Sequence, residues 1–377
     1  MSFQQVALKE LVMAHYGKAL KKDDRNESGF ALVYGSSGHV GNHSSKICVY
    51  PTLIVGRKGS VGKVVWAPEG GWIIDTAYFL EILDQKTLDL RYLFYALKRA
   101  NLASRTITTS IPGLNREDFY QTKIPLPPLP EQKRIAAILD KADQLRQKRQ
   151  QAIGLADEFL RSVFLDIFGD PVTNPKGWEL KKLSEFYVHP KTGTKCGPFG
   201  SALKKDEYQD EGIPVWNMDN ISLKGKFIDS PNLWISEKKF NELEQYGVEV
   251  GDIIISRAGT VGKMGVVRSR YPQSIISTNL IRLRFGNDLL PEYFVSLMIF
   301  CKGRVGNLKT GPDGSFTHMN TGILDKLVFP YPSIETQRKY IDVYNRVTKF
   351  KSRLFSGVDT TTNLFNSVSQ KAFAGEL

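Results

Sequence analysis

Pro127-Pro128-Leu129-Pro130-Glu131-Gln132-Lys133-Arg134-Ile135-Ala136 has a looser echo, 205 residues on, in Pro332-Ser333-Ile334-Glu335-Thr336-Gln337-Arg338, and the architecture turns on that repetition. Around it the register holds without a gap. Asn115 matches Asn320, Pro125 matches Pro330, Gln132 matches Gln337 and Phe168 matches Phe373. Upstream, Gly56-Arg57-Lys58-Gly59-Ser60-Val61-Gly62-Lys63 returns as Ser256-Arg257-Ala258-Gly259-Thr260-Val261-Gly262-Lys263, now offset by 200. Leu8-Lys9-Glu10-Leu11 returns as Leu180-Lys181-Lys182-Leu183, offset by 172. The chain is written twice, and the shrinking offset gives the second copy about 30 extra residues, inserted early.

Each proline-rich stretch opens a long amphipathic segment. Ile135, Ile138, Ala142, Leu145, Arg149, Ala152, Ala156, Phe159 and Val163 step alternately by three and four, which is a seven-residue repeat. Tyr340, Val343, Val347, Phe350, Leu354, Gly357, Thr361, Leu364 and Val368 take the same places in the second copy. Gly169-Asp170-Pro171 closes the first helix, whose length is roughly 55 Å at the standard rise. Gly357 and Thr361 weaken the second helix in its middle, where a kink is expected. One such helix cannot bury its own stripe. Two in one chain can pair, and the intervening domain brings the chain back, so antiparallel pairing is the simplest route. The alternative is two independent helices, each buried in its own domain.

The globular parts read as mixed α/β. Leu53-Ile54-Val55 and Val64-Val65-Trp66 flank a glycine-rich turn as a hairpin; Trp72-Ile73-Ile74 and Tyr78 to Leu83 are further strands. Leu90 to Asn101 has helical spacing, and Pro125 to Pro130 is an extended stop. The second copy repeats this with Gly251 to Ser256, Val266-Val267, Leu280 to Leu283 and the stop Pro330-Tyr331-Pro332. The predicted fold class is therefore α/β: two mixed α/β globular domains joined by two long antiparallel coiled-coil helices, with pseudo-two-fold symmetry. The expected segments are 1–127, 128–170, 171–332 and 333–377.

The chain has 377 residues, 41% hydrophobic and 24% charged, with a formal net charge of +12. That surplus favours a polyanionic partner through counterion release. Cys48, Cys196 and Cys301 form no paired spacing, which speaks for a reducing compartment. His39 and His43 stand four apart, but in a Gly/Ser-rich stretch unsuited to a helix, so no zinc site is expected. A secretory leader and a long apolar run are both missing from the sequence. A soluble, cytoplasmic protein that contacts no membrane is expected.

The repeated Gly-Arg-Lys-Gly-Ser-Val-Gly-Lys segment fails as a phosphate loop. Arg57 and Arg257 stand where the leading glycine belongs, and Val64 and Met264 where Ser or Thr must follow the lysine. What remains is a glycine-permissive turn flanked by cations, suited to phosphates or base edges. Arg57, Lys58, Ser60 and Lys63, with Arg257, Thr260 and Lys263, are the leading DNA-contact candidates. Lys18, Lys21 and Lys22 after Tyr16-Gly17, and Lys204 and Lys205 after Pro198-Phe199-Gly200, add basic stretches. Ser36 and Ser37 in Tyr34-Gly35-Ser36-Ser37-Gly38, and Asn217 in Trp216-Asn217-Met218-Asp219-Asn220, supply small polar groups for base edges. Thr108-Thr109-Ser110 and Ser315-Phe316-Thr317-His318 occupy comparable places before the shared asparagine.

A search for catalysis finds little. Neither Asn-Pro-Pro-Tyr nor Asp-Pro-Pro-Tyr occurs, and the histidines are too scattered for a nucleophilic triad. The rival from another class is a stand-alone metal-dependent nuclease on Asp75 with Asp84-Gln85-Lys86, although the second copy has Ser277 where Asp75 falls and no matching acidic-x-Lys triplet. A third possibility is a coiled-coil scaffold with no nucleic-acid role.

Pro127 to Ala136, the long helix and Phe168-Gly169-Asp170-Pro171 together resemble the central conserved region of Type I restriction–modification specificity subunits. The Pro-Tyr-Pro stretch and Glu335-Thr336-Gln337-Arg338 resemble their C-terminal conserved region. Tyr34 to Gly38 and the cationic glycine loop are similar to elements of their target recognition domains. Two departures are the loosened second motif and an ending at Leu377 within the second helix, without a further stretch seen in some members. The resemblance implies that each recognition domain reads one half of a bipartite, asymmetric double-stranded DNA site. The helices act as a ruler between half-sites roughly 34–36 Å apart. It further implies that the coiled coil expected on Ile135, Ile138, Leu145, Phe159, Val163, Val343, Val347, Phe350, Leu354 and Leu364 docks two methyltransferase subunits. Restriction and translocase subunits attach through these. S-adenosylmethionine, ATP and Mg2+ are then used by the partners, and this chain binds no cofactor or metal and has no catalytic residue.

Overall fold

The computed structural model describes residues 3–26, 28–105, 113–199, 202–300 and 319–376, with side chains in the last helix given outside 355–366. Thr108 to Ser110, Gly200, Ser315 to His318, and the side chains of Gly357, Thr361 and Leu364 therefore lie outside the described residues. The chain forms two compact units, Met1–Gln151 with Leu354–Leu377, and Ala152–Arg353. The sequence drew the long helices as segments of their own. Instead, each unit takes in a part of both.

The first copy runs β1 (Gln5–Ala7), β2 (Val12–Tyr16), β3 (Ala31–Gly35), β4 (Gly38–His43), β5 (Thr52–Gly56) and β6 (Val64–Ala67). It continues with β7 (Trp72–Ile73), β8 (Ala77–Ile82), α1 (Leu90–Arg99), α2 (Arg116–Tyr120), β9 (Lys123–Pro125) and the long α3 (Leu129–Phe168). The second runs β10 (Glu179–Lys182), β11 (Thr194–Cys196), β12 (Ile213–Trp216), β13 (Trp234–Ile235), α4 (Glu237–Glu242), β14 (Ile253–Ser256) and β15 (Met264–Val266). It ends with β16 (Ile275–Ile276), β17 (Leu280–Leu283), α5 (Pro291–Phe300), α6 (Thr321–Asp325), β18 (Val328–Tyr331) and the long α7 (Ile334–Ala374).

Strand for strand the copies agree. An antiparallel sheet β2-β8-β5-β6 recurs as β11-β17-β14-β15. A mixed sheet β4-β3-β7 recurs as β13-β12-β16, with β3 parallel to β7 and β12 parallel to β16. A two-stranded ribbon, β1 with β9 and β10 with β18, ties the start of each copy to the strand before its long helix. This last pairing corrects one offset. Leu8 N–H donates to Thr122 O at 2.9 Å and Leu183 N–H to Leu327 O at 2.8 Å, so Leu8 matches Leu183 rather than Leu180. Both leucines are fully buried, whereas Leu180 is exposed. Most of the second copy's extra residues lie between β11 and β14, where α4 has no counterpart.

β5 and β14 each serve two cores. Leu53 and Val55 pack in the cluster with α1, and Ile54 points into the cluster with Tyr34 and Ile73. Ile253 and Ile255 pack with α5, and Ile254 joins Trp216 and Ile276. A strand covered on both faces reads as an unbroken apolar run, which is how Leu53-Ile54-Val55 and Ile253-Ile254-Ile255 stand in the sequence.

Pro130 falls in the first turn of α3, where its missing N–H costs no intrahelical bond. Just beyond, a buried amide fixes the start of each long helix. Gln132 accepts from Asp89 N–H at 2.9 Å and donates to Thr87 O and Pro127 O, each at 2.8 Å. Gln337 accepts from Leu290 N–H at 2.9 Å and donates to Asp288 O and Pro332 O at 3.2 and 3.0 Å.

The helix ends meet in the antiparallel sense. In the first unit Ile135, Ala136 and Leu139 share a core with Ala372 and Phe373; in the second, Phe164 and Phe168 share one with Tyr340. The buried stripe does not hold the expected register. It runs through Gln132, Ile135, Leu139, Asp143, Ile153, Ala156, Leu160, Phe164 and Phe168. Ile138 and Val163 are half-buried, while Leu145, Phe159 and Phe350 are exposed. Val343, Val347 and Leu354 on α7 are half-buried. Steps of four take over in the last turns of α3, where Phe164 and Phe168 enter the globular core of the second unit. Within the second unit, Asp157 of α3 takes hydrogen bonds from Lys224, at 2.7 Å, and from Lys351 of α7. Burial raises the Asp157 carboxyl, and the two lysines outweigh it, leaving it below its usual range.

Candidate nucleic-acid interface

The loop between β5 and β6 and the loop between β14 and β15 have one conformation. Gly56 N–H donates to Lys63 O and Gly62 N–H to Gly56 O, both at 2.8 Å. Ser256 N–H donates to Lys263 O at 2.8 Å and Gly262 N–H to Ser256 O at 2.9 Å. Gly59 and Gly62 have φ of 77° and 74°, Gly259 and Gly262 of 66° and 83°, values that favour glycine. A Cβ on Gly56 would stand 2.0 Å from Ser60 O. At the matching place Ser256 uses its hydroxyl, donating to Thr260 O and accepting from Lys263 N–H at 2.9 Å.

The lysines closing the loops act as struts. Lys63 Nζ donates to Ser37 O at 2.6 Å, and Lys263 Nζ to Met218 O at 2.9 Å. Each ammonium fastens its glycine loop to the connection leaving β3 or β12, so Ser36 and Ser37 lie beside the first loop. Lys58, Ser60 and Thr260 are exposed on the loops. Asn217 is committed locally: its carbonyl accepts from Asp219 N–H at 2.8 Å and its amide donates to Asn232 at 2.7 Å. Lys18 is exposed beside this surface, its backbone N–H on Ile73 O; Lys21 and Lys22 follow on the connection to β3. Lys204 and Lys205 are exposed on the connection from β11 to β12.

The arginine guanidiniums lie over aromatic rings. Arg57 donates its backbone N–H to Thr76 O, and its guanidinium to Asp75 O at 3.3 Å. Its guanidinium carbon lies 5.0 Å from the Tyr16 ring and 5.9 Å from the Tyr78 ring. Arg116 approaches the same Tyr16 ring to 5.1 Å. Burial, then Tyr16, push the Tyr78 phenol up to about 12 against the pull of Arg57. It stays protonated and donates to Leu114 O at 3.0 Å. In the second unit Arg257 N–H donates to Asn279 O, and its guanidinium lies 4.6 Å from the Phe199 ring. Sequence reasoning found the arginines and missed Tyr16, Phe199 and Arg116 as members of the site. Strand pairing matches His15 with Lys195, so Phe199 falls three residues past the place matching Tyr16. No constant offset exposes the pair.

The nuclease alternative gains no support. Among the described residues, no group of three or more His, Cys, Asp or Glu could hold a metal ion. Asp84 caps the Lys86 N–H at 2.8 Å. No helix among them is long and apolar enough to cross a membrane.

Residues 2–154 and 175–356 match the Type I restriction modification DNA specificity domain. The chain belongs to that family. As a specificity component it is not the enzyme's catalytic part. It is 26% identical over 274 residues to the Type I restriction enzyme MjaVIII specificity subunit of Methanocaldococcus jannaschii, covering 67% of this chain and 62% of that protein. It is 23% identical over 365 residues to the EcoBI specificity subunit of Escherichia coli, covering 87% and 74%. The chain thus spans less than two thirds of the first relative's length. Its fold is that of the S subunit of a Type I restriction-modification system from M. genitalium, with a TM-score of 0.66, 19% identity, and coverage of 99% and 96% of the two chains. A chain from a structure addressing complex assembly and conformational transition of the type I R-M system matches with a TM-score of 0.54 at 18% identity, covering 100% and 98%.

Proposed function

We propose that this specificity-family chain reads a bipartite, asymmetric site in double-stranded DNA and carries the methyltransferase subunits that modify it. The observation that carries this reading is the loop built twice with one backbone conformation, each copy presenting an arginine stacked on an exposed ring. A turn repeated with that fidelity in two domains of one topology and different sequence suits one task on two different DNA sequences, and the net charge of +12 fits a phosphate backbone. The exposed faces of the two long helices are where two methyltransferase subunits would dock, with restriction and translocase subunits joined through them. S-adenosylmethionine, ATP and Mg2+ belong to those partners in this scheme.

The test is a map of methylated adenines in cells carrying and lacking this chain. A two-part, asymmetric sequence should be methylated only when the chain is present. Identical methylation in both cell lines would overturn the reading, and a purified chain that ignores random duplex at low salt would favour a protein scaffold.

A further inference from the structure

We propose that Tyr16 with Arg57, and Phe199 with Arg257, are base-reading pairs in which the ring holds the guanidinium in plane so that its free edge meets a guanine in the major groove. The inference rests on the DNA-reading function above and names the residues that would specify sequence within it.

Both rings are large apolar groups left open, Tyr16 at 46% and Phe199 at 56% exposure, although each belongs to a unit with ample core. Both carry the arginine that opens the repeated loop, at 5.0 and 4.6 Å. They reach that position from different places in the chain, so the arrangement is built in each copy rather than inherited from a shared segment. A phosphate contact needs only a charge within reach, which a flexible lysine supplies. A guanidinium with fixed plane is needed where two parallel donors must meet O6 and N7 of guanine together. Stacking supplies that plane at low entropic cost. The struts from Lys63 and Lys263 hold the loops beneath the arginines, and the Arg57 bond to Asp75 O fixes one end of its fork. In the first unit the Arg116 guanidinium also lies over the Tyr16 ring, at 5.1 Å.

The experiment is selection from a pool of random-sequence duplexes by the full chain assembled with its methyltransferase subunits. Wild type, Tyr16→Leu, Phe199→Leu, and the ring-keeping variants Tyr16→Phe and Phe199→Tyr are compared at one salt concentration. Wild type should enrich a two-part motif. Tyr16→Leu should lose the preference for a G·C pair in one half only, and Phe199→Leu in the other half. Each leucine variant should bind the wild-type duplex about 10- to 100-fold more weakly, with binding to the unselected pool and the melting temperature unchanged. The ring-keeping variants should behave as wild type. If wild type enriches a motif and both leucine variants enrich the same one, the inference is overturned while the DNA-reading function stands. Equal weakening on selected and unselected duplex also overturns it, because the pairs are then phosphate clamps. If wild type enriches no motif, the function itself fails and this inference with it.

Discussion

At the scale of single residues, the most constrained polar groups are the two buried glutamines. Gln132 meets two carbonyls with its amide nitrogen and one N–H with its oxygen, and Gln337 repeats the pattern on the other helix. No other uncharged side chain of that length offers both a double donor and an acceptor. Gln132→Leu leaves Asp89 N–H, Thr87 O and Pro127 O without their partner, the last of them buried. The expected loss is about 2–4 kcal/mol of stability in the first unit. Gln132→Glu should not rescue it, since a carboxylate would face two carbonyl oxygens. Denaturant unfolding of the three proteins decides the matter: a glutamate variant as stable as wild type would show that the amide nitrogen is not what the site requires.

At the scale of elements, the long helices show how far the sequence carries. Their existence and starts follow from the repeated boundary in which a proline precedes a glutamine by five residues, Pro127 to Gln132 and Pro332 to Gln337, and the central strands follow from their unbroken apolar runs. The buried face did not follow. At step after step two apolar residues are adjacent, Ile138 with Leu139, Ala152 with Ile153, Phe159 with Leu160 and Val163 with Phe164. A seven-residue template therefore fits either of two stripes. What selects between them is tertiary: the globular cores at each end take Leu139 and Phe164, Leu160 is buried with that face, and Phe159 is left outside. The site divides the same way. Its cations repeat at a fixed offset and can be read, whereas its rings do not. The consequence for the helix is a sharp contrast between neighbours. Leu160, 5% exposed, should cost about 2–5 kcal/mol on replacement by alanine. Phe159, 53% exposed, should cost less than about 0.5 kcal/mol. Equal losses at both positions, measured by thermal unfolding, would restore the heptad seam.

At the scale of the whole chain, a helix end closes a core in each unit, and in the first unit that end arrives from the far side of the sequence. Phe168, closing α3, packs 4.8 Å from Tyr293 and 5.5 Å from Tyr340 in the second unit. Its partner by repeat, Phe373, lies near the last residue of the chain yet packs 5.4 Å from Tyr92 in the first unit. Arg99 lies over the same Phe373 ring at 5.5 Å. The first core therefore cannot close until the second helix has been made, even though its strands all lie within the first 125 residues. Phe373→Ala should remove about 3–5 kcal/mol from the first unit, the cost of emptying a buried aromatic site. The expected signature is spatial. Amide exchange should accelerate in α1 and in the first turns of α3, more than 200 residues from the substitution, while β14 and α5 keep their protection. Phe168→Ala should give the reverse pattern, with α5 and the start of α7 losing protection and α1 retaining it. A Phe373→Ala protein whose α1 exchanges at the wild-type rate would show that the C-terminal turn merely rests on the first unit and that its core closes without it.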